Sequence, residues 1–329
     1  MTDFAVRLHR TGGPEVLQYE AVDVGAPAAG EARVRQHAIG VNFIDIYHRT
    51  GLYPLPLPSG LGLEAAGVIE AVGPGVGDLA PGDRVAYAGG PPGAYAQVRN
   101  MPADRLVPLP DAIDFDTAAA LMLKGLTAHY LLRRTCRVEA GDAVLIHAAA
   151  GGVGLIACQW ARALGARVIG TSGSPDKLRR LQALGLDVPL ATREPDFAPA
   201  VMRATGDHGA DLVVNTVGGS VFAECVRSMA FEGRLATVGY VDRTLKAELD
   251  IQALHARRLT LFGVSNKLRN ADQRAAGVPA FAADLLPAIA DGRIVPLVDR
   301  VFDFDELPAA KAHMESNLHL GKIVLRIAG

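Results

Sequence analysis

His147-Ala148-Ala149-Ala150-Gly151-Gly152-Val153-Gly154 carries the chain from an apolar run that begins at Ala143 into a helix-spaced run, Val153–Leu164. Strand, glycine turn and helix in that order point to a dinucleotide site, and each position has a physical task. Ala149 stands where the first glycine of a GxGxxG pattern makes the tight turn, which alanine can do if its φ stays negative. Ala150 and Gly151 lie where backbone must approach the pyrophosphate, and Gly151 does so without a Cβ. Gly154 lets the helix pack closely on the sheet. The helix N-terminus at Gly152 and Val153 then offers free N–H groups and positive dipole to phosphate.

The second strand selects the dinucleotide. Sites for NAD place an acidic residue about 20 residues on, at the end of that strand, to bind the ribose hydroxyls. Here the strand ends Gly170-Thr171-Ser172-Gly173-Ser174, with Lys177 one turn into the next helix and Arg193 beyond the third strand. Hydroxyl donors and cations suit a 2′-phosphate, so NADPH is the expected cofactor. Asp176 is the one dissonant charge, and its place in the first helical turn makes it a dipole partner.

Outward from the motif, strands and helices alternate: strand Arg167–Thr171, helix Pro175–Leu184, then strands Asp211–Asn215, Arg234–Val238 and Leu259–Gly263. Such alternation predicts a doubly wound parallel sheet. Upstream, short strands sit between Gly/Pro turns: Phe4–His9, Val16–Val22, Ala32–Val41, Ala65–Val72, Arg84–Tyr87 and Tyr95–Arg99. They predict a β-rich domain of barrel or distorted-sandwich type, with one short helix after Asn42, a good N-cap. Helical spacing appears at Asp116–Leu123 and Thr127–Arg134. The tail, helix Val278–Asp291, strand Asp299–Phe304, helix Leu307–Glu315 and strand Ile323–Ile327, is expected to fold back on the first domain. Residues 1–124 and 265–329 would then form one discontinuous domain and residues 125–264 the cofactor domain, with a cleft between the lobes.

The chain's 329 residues suit two domains, and its 50% apolar content can fill two cores. A formal net charge of −2 gives no reason to expect nucleic acid or an acidic membrane as partner. Val144–Ala161 approaches the length of a membrane span, but His147, Gln159 and three glycines break it into strand, turn and helix. Cys136, Cys158 and Cys225 form no CxxC pair and fit a reducing cytoplasm, and the first residues lack the apolar core of a signal peptide.

The segments Ala38–Asp45, Gly60–Gly67, Ala80–Val85, Leu123–Thr127 and His147–Gly154 together resemble the zinc-less quinone oxidoreductases of the medium-chain dehydrogenase/reductase superfamily, the ζ-crystallin group. The resemblance runs end to end. It implies an α/β protein with a GroES-like β-rich catalytic domain, a Rossmann cofactor domain, and often a homodimer. Zinc-dependent relatives bind the metal at positions matching Asn42, Leu63 and Leu123, none of which is a zinc ligand here. The resemblance also implies cofactor contacts at Asn42, Lys124, Thr127, Val217, Gly218, Tyr240, Val264 and Asn317. Asn317 stands where some relatives have a basic residue, and Thr192 where some have a tyrosine.

A site without a Lewis acid favours acceptors that are already electron-poor, such as quinones and conjugated enones. Tyr47 and Tyr53 can stack on a planar acceptor and donate hydrogen bonds. Asn42, Tyr47 and Tyr53 are therefore the expected catalytic residues, with Asn42 and Tyr53 donating to the acceptor oxygen. An NADPH-dependent 2-alkenal or enone reductase is the alternative on the same fold. An RNA-binding or structural role is the alternative of another class.

Overall fold

The computed structural model describes residues 2–192, 196–264 and 277–327. The chain divides into two compact units, one of Met1–Leu126, Asn270–Gly292 and Pro296–Gly329, the other of Thr127–Arg269 with Arg293–Val295.

The first unit is built on a long strand, Glu31–Val41, whose residues alternate between half-buried and buried before becoming buried throughout. It pairs antiparallel with Glu64–Val72, Val98–Pro102 and Lys322–Arg326. Beyond these, Arg84–Ala88 and Val107–Pro108 extend one side, and Val298–Asp303 lies parallel to Lys322–Arg326 on the other. The tail thus completes the same sheet as the N-terminal strands. A smaller sheet of Leu17–Val22, Asp3–Leu8 and Ser59–Gly60 closes the fold. Val6, Val34, Ile39, Ile69, Tyr87, Tyr95, Phe302 and Leu325 fill the core. A short helix, α1 (Phe43–Thr50), follows Asn42 directly.

Three boundaries differ clearly from the sequence reading; in the second unit the strand expected at Arg234–Val238 begins at Met229, and the other two lie here. Spacing split Asp116–Leu123 from Thr127–Arg134, yet one helix, α2, runs Phe115–His129 and continues as a wider turn to Thr135. Gly125 does not break it, because its bare face lies against Leu285 and Phe281. The strand expected at Tyr95–Arg99 is Val98–Pro102. Tyr95 precedes it, fully buried, with its hydroxyl turned to Asp45.

In the second unit six parallel strands stand in the order Val188–Ala191, Arg167–Ser172, Ala143–Ile146, Ala210–Asn215, Met229–Thr237 and Thr260–Gly263. Strand order reverses between Ala143–Ile146 and Ala210–Asn215, and ligands of open α/β sheets bind outside the strands' C-terminal ends at such a point. Helices α3 (Gly152–Ala163) and α4 (Pro175–Ala183) provide the first two crossovers. Short helices missed by periodicity occupy Ala198–Ala204, Phe222–Ser228 and Ile251–Ala256. Among the described residues no helix is long and apolar enough to cross a membrane.

Candidate active site

In the second unit, Ala143–Ile146 ends at His147 and the chain turns through Ala148 into α3. The positive φ of this turn, 49°, falls on Ala148, which leaves Ala149 in ordinary backbone. A Cβ on Gly154 would run into the Ala148 carbonyl oxygen, so helix and strand approach this closely only with glycine. Gly151 is the N-cap, has no side chain to offer, and no acid stands in the first turn. The first amides of α3 are thus left for an anion. A pyrophosphate fits this cradle by the chemistry of its donors.

The other strand ends converge on the same edge of the sheet. Ser172 Oγ accepts from Ser174 N–H at 3.2 Å, and Ser174 caps α4 by accepting from Lys177 N–H at 3.4 Å. Ser172, Ser174 and Lys177 are half-buried and Gly173 is exposed. Asp176, the dissonant acid, is exposed and paired with Arg179. Thr192 lies beside this loop, its N–H on Ser172 O at 3.2 Å. Arg193 lies outside the described residues.

Val217 and Gly218 sit in a loop that the sequence reading named but did not explain. Asn215, fully buried, accepts from the N–H groups of Val217 (2.9 Å) and Gly218 (3.0 Å) and donates to Gly218 O at 2.9 Å. Gly218 has φ +135° and the Asp242 carboxylate against its open face, so any side chain there would clash. Thr216 Oγ1 donates to His147 O at 3.1 Å, tying the loop to the dinucleotide turn. Tyr240 and Val264 follow the next two strands, and Val264 is anchored through N–H to Thr237 O at 2.9 Å. The Asn215-Thr216-Val217-Gly218 sequence after an apolar run was the available signal for this loop. Beneath it His147 is 1% exposed, with Nδ1 3.0 Å from Thr171 Oγ1 and Nε2 3.3 Å from Cys225 Sγ. Burial holds its pKa down to about 4.

The first unit places Tyr47 in α1 and Tyr53 just after it, both half-buried, their ring centroids 5.3 Å apart and edge-on at 67°. The Tyr53 N–H donates to Tyr47 O at 3.0 Å, which fixes the turn between them. Asn42 is fully buried, and its amide is consumed inside the protein. Nδ2 donates to Glu64 Oε2 (2.8 Å) and Gly40 O (3.0 Å), and Oδ1 accepts from Lys322 Nζ at 2.8 Å. Both amide hydrogens are spent, so this geometry gives Asn42 none to donate to an acceptor oxygen. Leu63 is buried, and the Leu123 N–H donates to Glu64 Oε1 at 2.6 Å. The matched metal positions thus hold an amide and two aliphatic chains. Among the described residues no three His, Cys, Asp or Glu side chains assemble as a metal site.

Lys124, the next residue of α2, is half-buried, and its ammonium makes no hydrogen bond or ion pair among the described residues. Burial, reinforced by repulsion from Lys322, brings its pKa down to about 8. Thr127 lies one turn further, half-buried, in the second unit. Asn317 is exposed, in a left-handed conformation (φ 58°) after helix Leu307–Glu315, its N–H on Met314 O at 3.1 Å. The three cysteines are free and buried, and burial raises the thiols of Cys136 and Cys158 to about 12. None is a thiolate nucleophile.

Residues 28–111 match the family described as alcohol dehydrogenase GroES-like domain, and residues 152–276 the zinc-binding dehydrogenase family. A quinone oxidoreductase of Pseudomonas aeruginosa is 48% identical over 229 residues, 69% of this chain and 70% of that one. A 2-haloacrylate reductase of Burkholderia is 38% identical over 328 residues, 98% of each chain. Among solved structures, the Escherichia coli quinone oxidoreductase complexed with NADPH superposes with a TM-score of 0.91 at 37% identity, over 98% of this chain and 99% of that one.

Proposed function

The chain belongs to the quinone oxidoreductases of the medium-chain dehydrogenase/reductase superfamily, and from that premise we propose that it transfers reducing equivalents from NADPH to small quinones without zinc or flavin. The observation that carries the reading is the loop Ser172–Lys177. It offers two hydroxyls and a lysine where an NAD site would set an acid, beside a glycine turn whose helix amides are free for phosphate. The E. coli relative with the same overall fold is complexed with NADPH.

Bound NADPH supplies the hydride. Ala150, Gly151, Gly152, Val153 and Gly154 hold its pyrophosphate, and Ser172, Gly173, Ser174 and Lys177 its 2′-phosphate. Val217, Gly218, Tyr240, Val264 and Thr127 serve as further cofactor contacts, and Asn317 and Arg193 complete the proposed set. In the first unit, Tyr47 and Tyr53 present their rings to a planar acceptor. A tyrosine hydroxyl and the Lys124 ammonium meet the negative charge that develops on the acceptor oxygen. Preorganised donors of this kind are worth roughly 3–4 kcal/mol each to a reaction that builds charge. Asn42 supports this surface from behind rather than touching the acceptor.

Full-length similarity to a 2-haloacrylate reductase favours one second reading, reduction of a conjugated carbon–carbon double bond. Anaerobic NADPH oxidation against a panel of 1,4-benzoquinone, conjugated enals and 2-chloroacrylate separates the two. Turnover confined to the quinone supports the first reading, and turnover confined to the alkenes replaces it.

The strand Thr260–Gly263 is the edge of the six-stranded sheet. Pairing two copies of it would remove an open edge, and we take the protein to be a homodimer of the cytoplasm, where its three free cysteines stay reduced. Light scattering at micromolar concentration is expected to give twice the chain mass, and the monomer mass would overturn this.

A further inference from the structure

Two lysine ammonium groups are sealed inside the first unit. Lys322 is 3% exposed, and its Nζ donates to Val41 O (3.0 Å), Asn42 Oδ1 (2.8 Å) and Glu64 Oε2 (2.7 Å). Lys311 is 0% exposed, and its Nζ donates to Tyr95 Oη (2.6 Å) and Asp45 Oδ2 (3.1 Å). That same Asp45 oxygen accepts the Tyr95 hydroxyl at 2.5 Å and the Asn42 N–H at 2.9 Å. The clusters meet at Asn42, whose side chain belongs to the first and whose backbone N–H belongs to the second.

Both clusters grip the first turn of α1. Asn42 is its N-cap and Asp45 its third residue. A third charged contact joins its far end to the same tail helix, Arg49 Nη2 to Glu315 Oε1 at 2.5 Å. An eight-residue helix has little stability of its own, so tertiary contacts must set its position. Burying Lys311, Lys322, Asp45 and Glu64 costs several kcal/mol per ion before pairing returns it, and apolar side chains of the same volume are often as stabilising. Stability alone therefore gives no reason for this arrangement. Its geometric result is that α1, with Tyr47 two residues beyond Asp45, is pinned to strands and a helix from the far end of the chain.

We propose that Lys322 and Lys311 are positioning residues that fix α1 so that the Tyr47 ring stands in one orientation against Tyr53. The proposal rests on the reading of Tyr47 as an acceptor-contacting residue, but its structural half can be tested without turnover. Lys322→Met alone strands a buried carboxylate, so the informative variant is Lys322→Met with Glu64→Gln, which removes both charges and keeps the volume. The probe is the fluorine NMR line of Tyr47 in 3-fluorotyrosine-labelled protein, assigned by its loss in Tyr47→Phe.

In the double variant the Tyr47 line is expected to broaden or split while the thermal midpoint stays near that of the wild type. With NADPH and 1,4-benzoquinone, kcat is expected to fall about 10–100-fold, the scale of an ångström-level misplacement, with KM for NADPH unchanged. An unaltered Tyr47 line in the folded double variant, or kcat restored along with stability, would overturn the proposal. A wild type that ignores quinones would sink the functional reading, and the fluorine line would still decide the clamp.

Discussion

Burial of one imidazole sets an acid limit on the fold. His147 has its pKa held near 4, below the free value of 6.5, because its surroundings cannot solvate the charged ring. Between those two values the unfolded chain takes up a proton that the native one refuses, so stability falls as pH drops from 6.5 to 4. A gap of this size corresponds to about 3 kcal/mol. Urea midpoints at pH 7 and pH 4.5 are expected to differ less in His147→Asn than in the wild type. An equal difference would show that other groups govern acid unfolding. Lys124 acts on the alkaline side. Its folded pKa, about 8, is below the free value of 10.5, so the stability cost of its charge disappears as pH rises through that interval. The charged form is also the one that can meet an anionic acceptor oxygen, so kcat/KM for the quinone should decline above pH 8. Lys124→Met should have lower kcat/KM and lose that decline, and an unchanged profile would remove Lys124 from the acceptor site. Sequence pointed to Lys124 and Asn42 but could not show how Asn42 is used. Its amide hydrogens are taken by Glu64 and Gly40 and its oxygen by Lys322, far along the chain, and a pattern read along the chain carries no sign of those pairings.

At the scale of elements, the glycine turn was the most legible feature, because each of its constraints is local. Gly154 illustrates this, since the clash that a side chain would cause is with a carbonyl in the same turn. Gly154→Ala is expected to lower stability by about 1–3 kcal/mol through overpacking and to raise the Kd for NADPH more than about tenfold, as read by quenching of nicotinamide fluorescence or by calorimetry. Wild-type affinity in that variant would show that the helix N-terminus does not hold the cofactor. Less legible were the elements defined by partners. Spacing shows helical runs only at Asp116–Leu123 and Thr127–Arg134, whereas the packing of Gly125 against Leu285 and Phe281 lets one helix pass through both. The strand placed at Tyr95 begins three residues later, because Tyr95 is drawn into the Asp45 and Lys311 cluster. The helices Ala198–Ala204, Phe222–Ser228 and Ile251–Ala256 are six or seven residues long, too short to show a helical period.

For the whole molecule, alternation of strands and helices predicts the parallel sheet, and the broken pattern of the tail predicts its return to the first domain, without saying which sheet it joins. Strand Lys322–Arg326 does pair with the central strand Glu31–Val41. What that pairing accomplishes became visible only in three dimensions, because it delivers Lys322 to Asn42 and Glu64. Lys322→Met alone should therefore cost about 3–5 kcal/mol, the penalty for leaving a buried carboxylate unpaired, and adding Glu64→Gln should recover most of it in a denaturant melt. Failure of the second change to recover stability would mean that the pair is not the source of the loss. The central functional claim is that the Ser172–Lys177 loop reads a 2′-phosphate while the glycine turn serves either dinucleotide. Steady-state kcat/KM with NADPH and with NADH, at a fixed concentration of 1,4-benzoquinone, tests it most directly. The expected ratio favours NADPH by about 10–100-fold, the worth of a charge-assisted phosphate contact, and Lys177→Ala brings it close to one. Equal values for the two cofactors in the wild type would contradict the account.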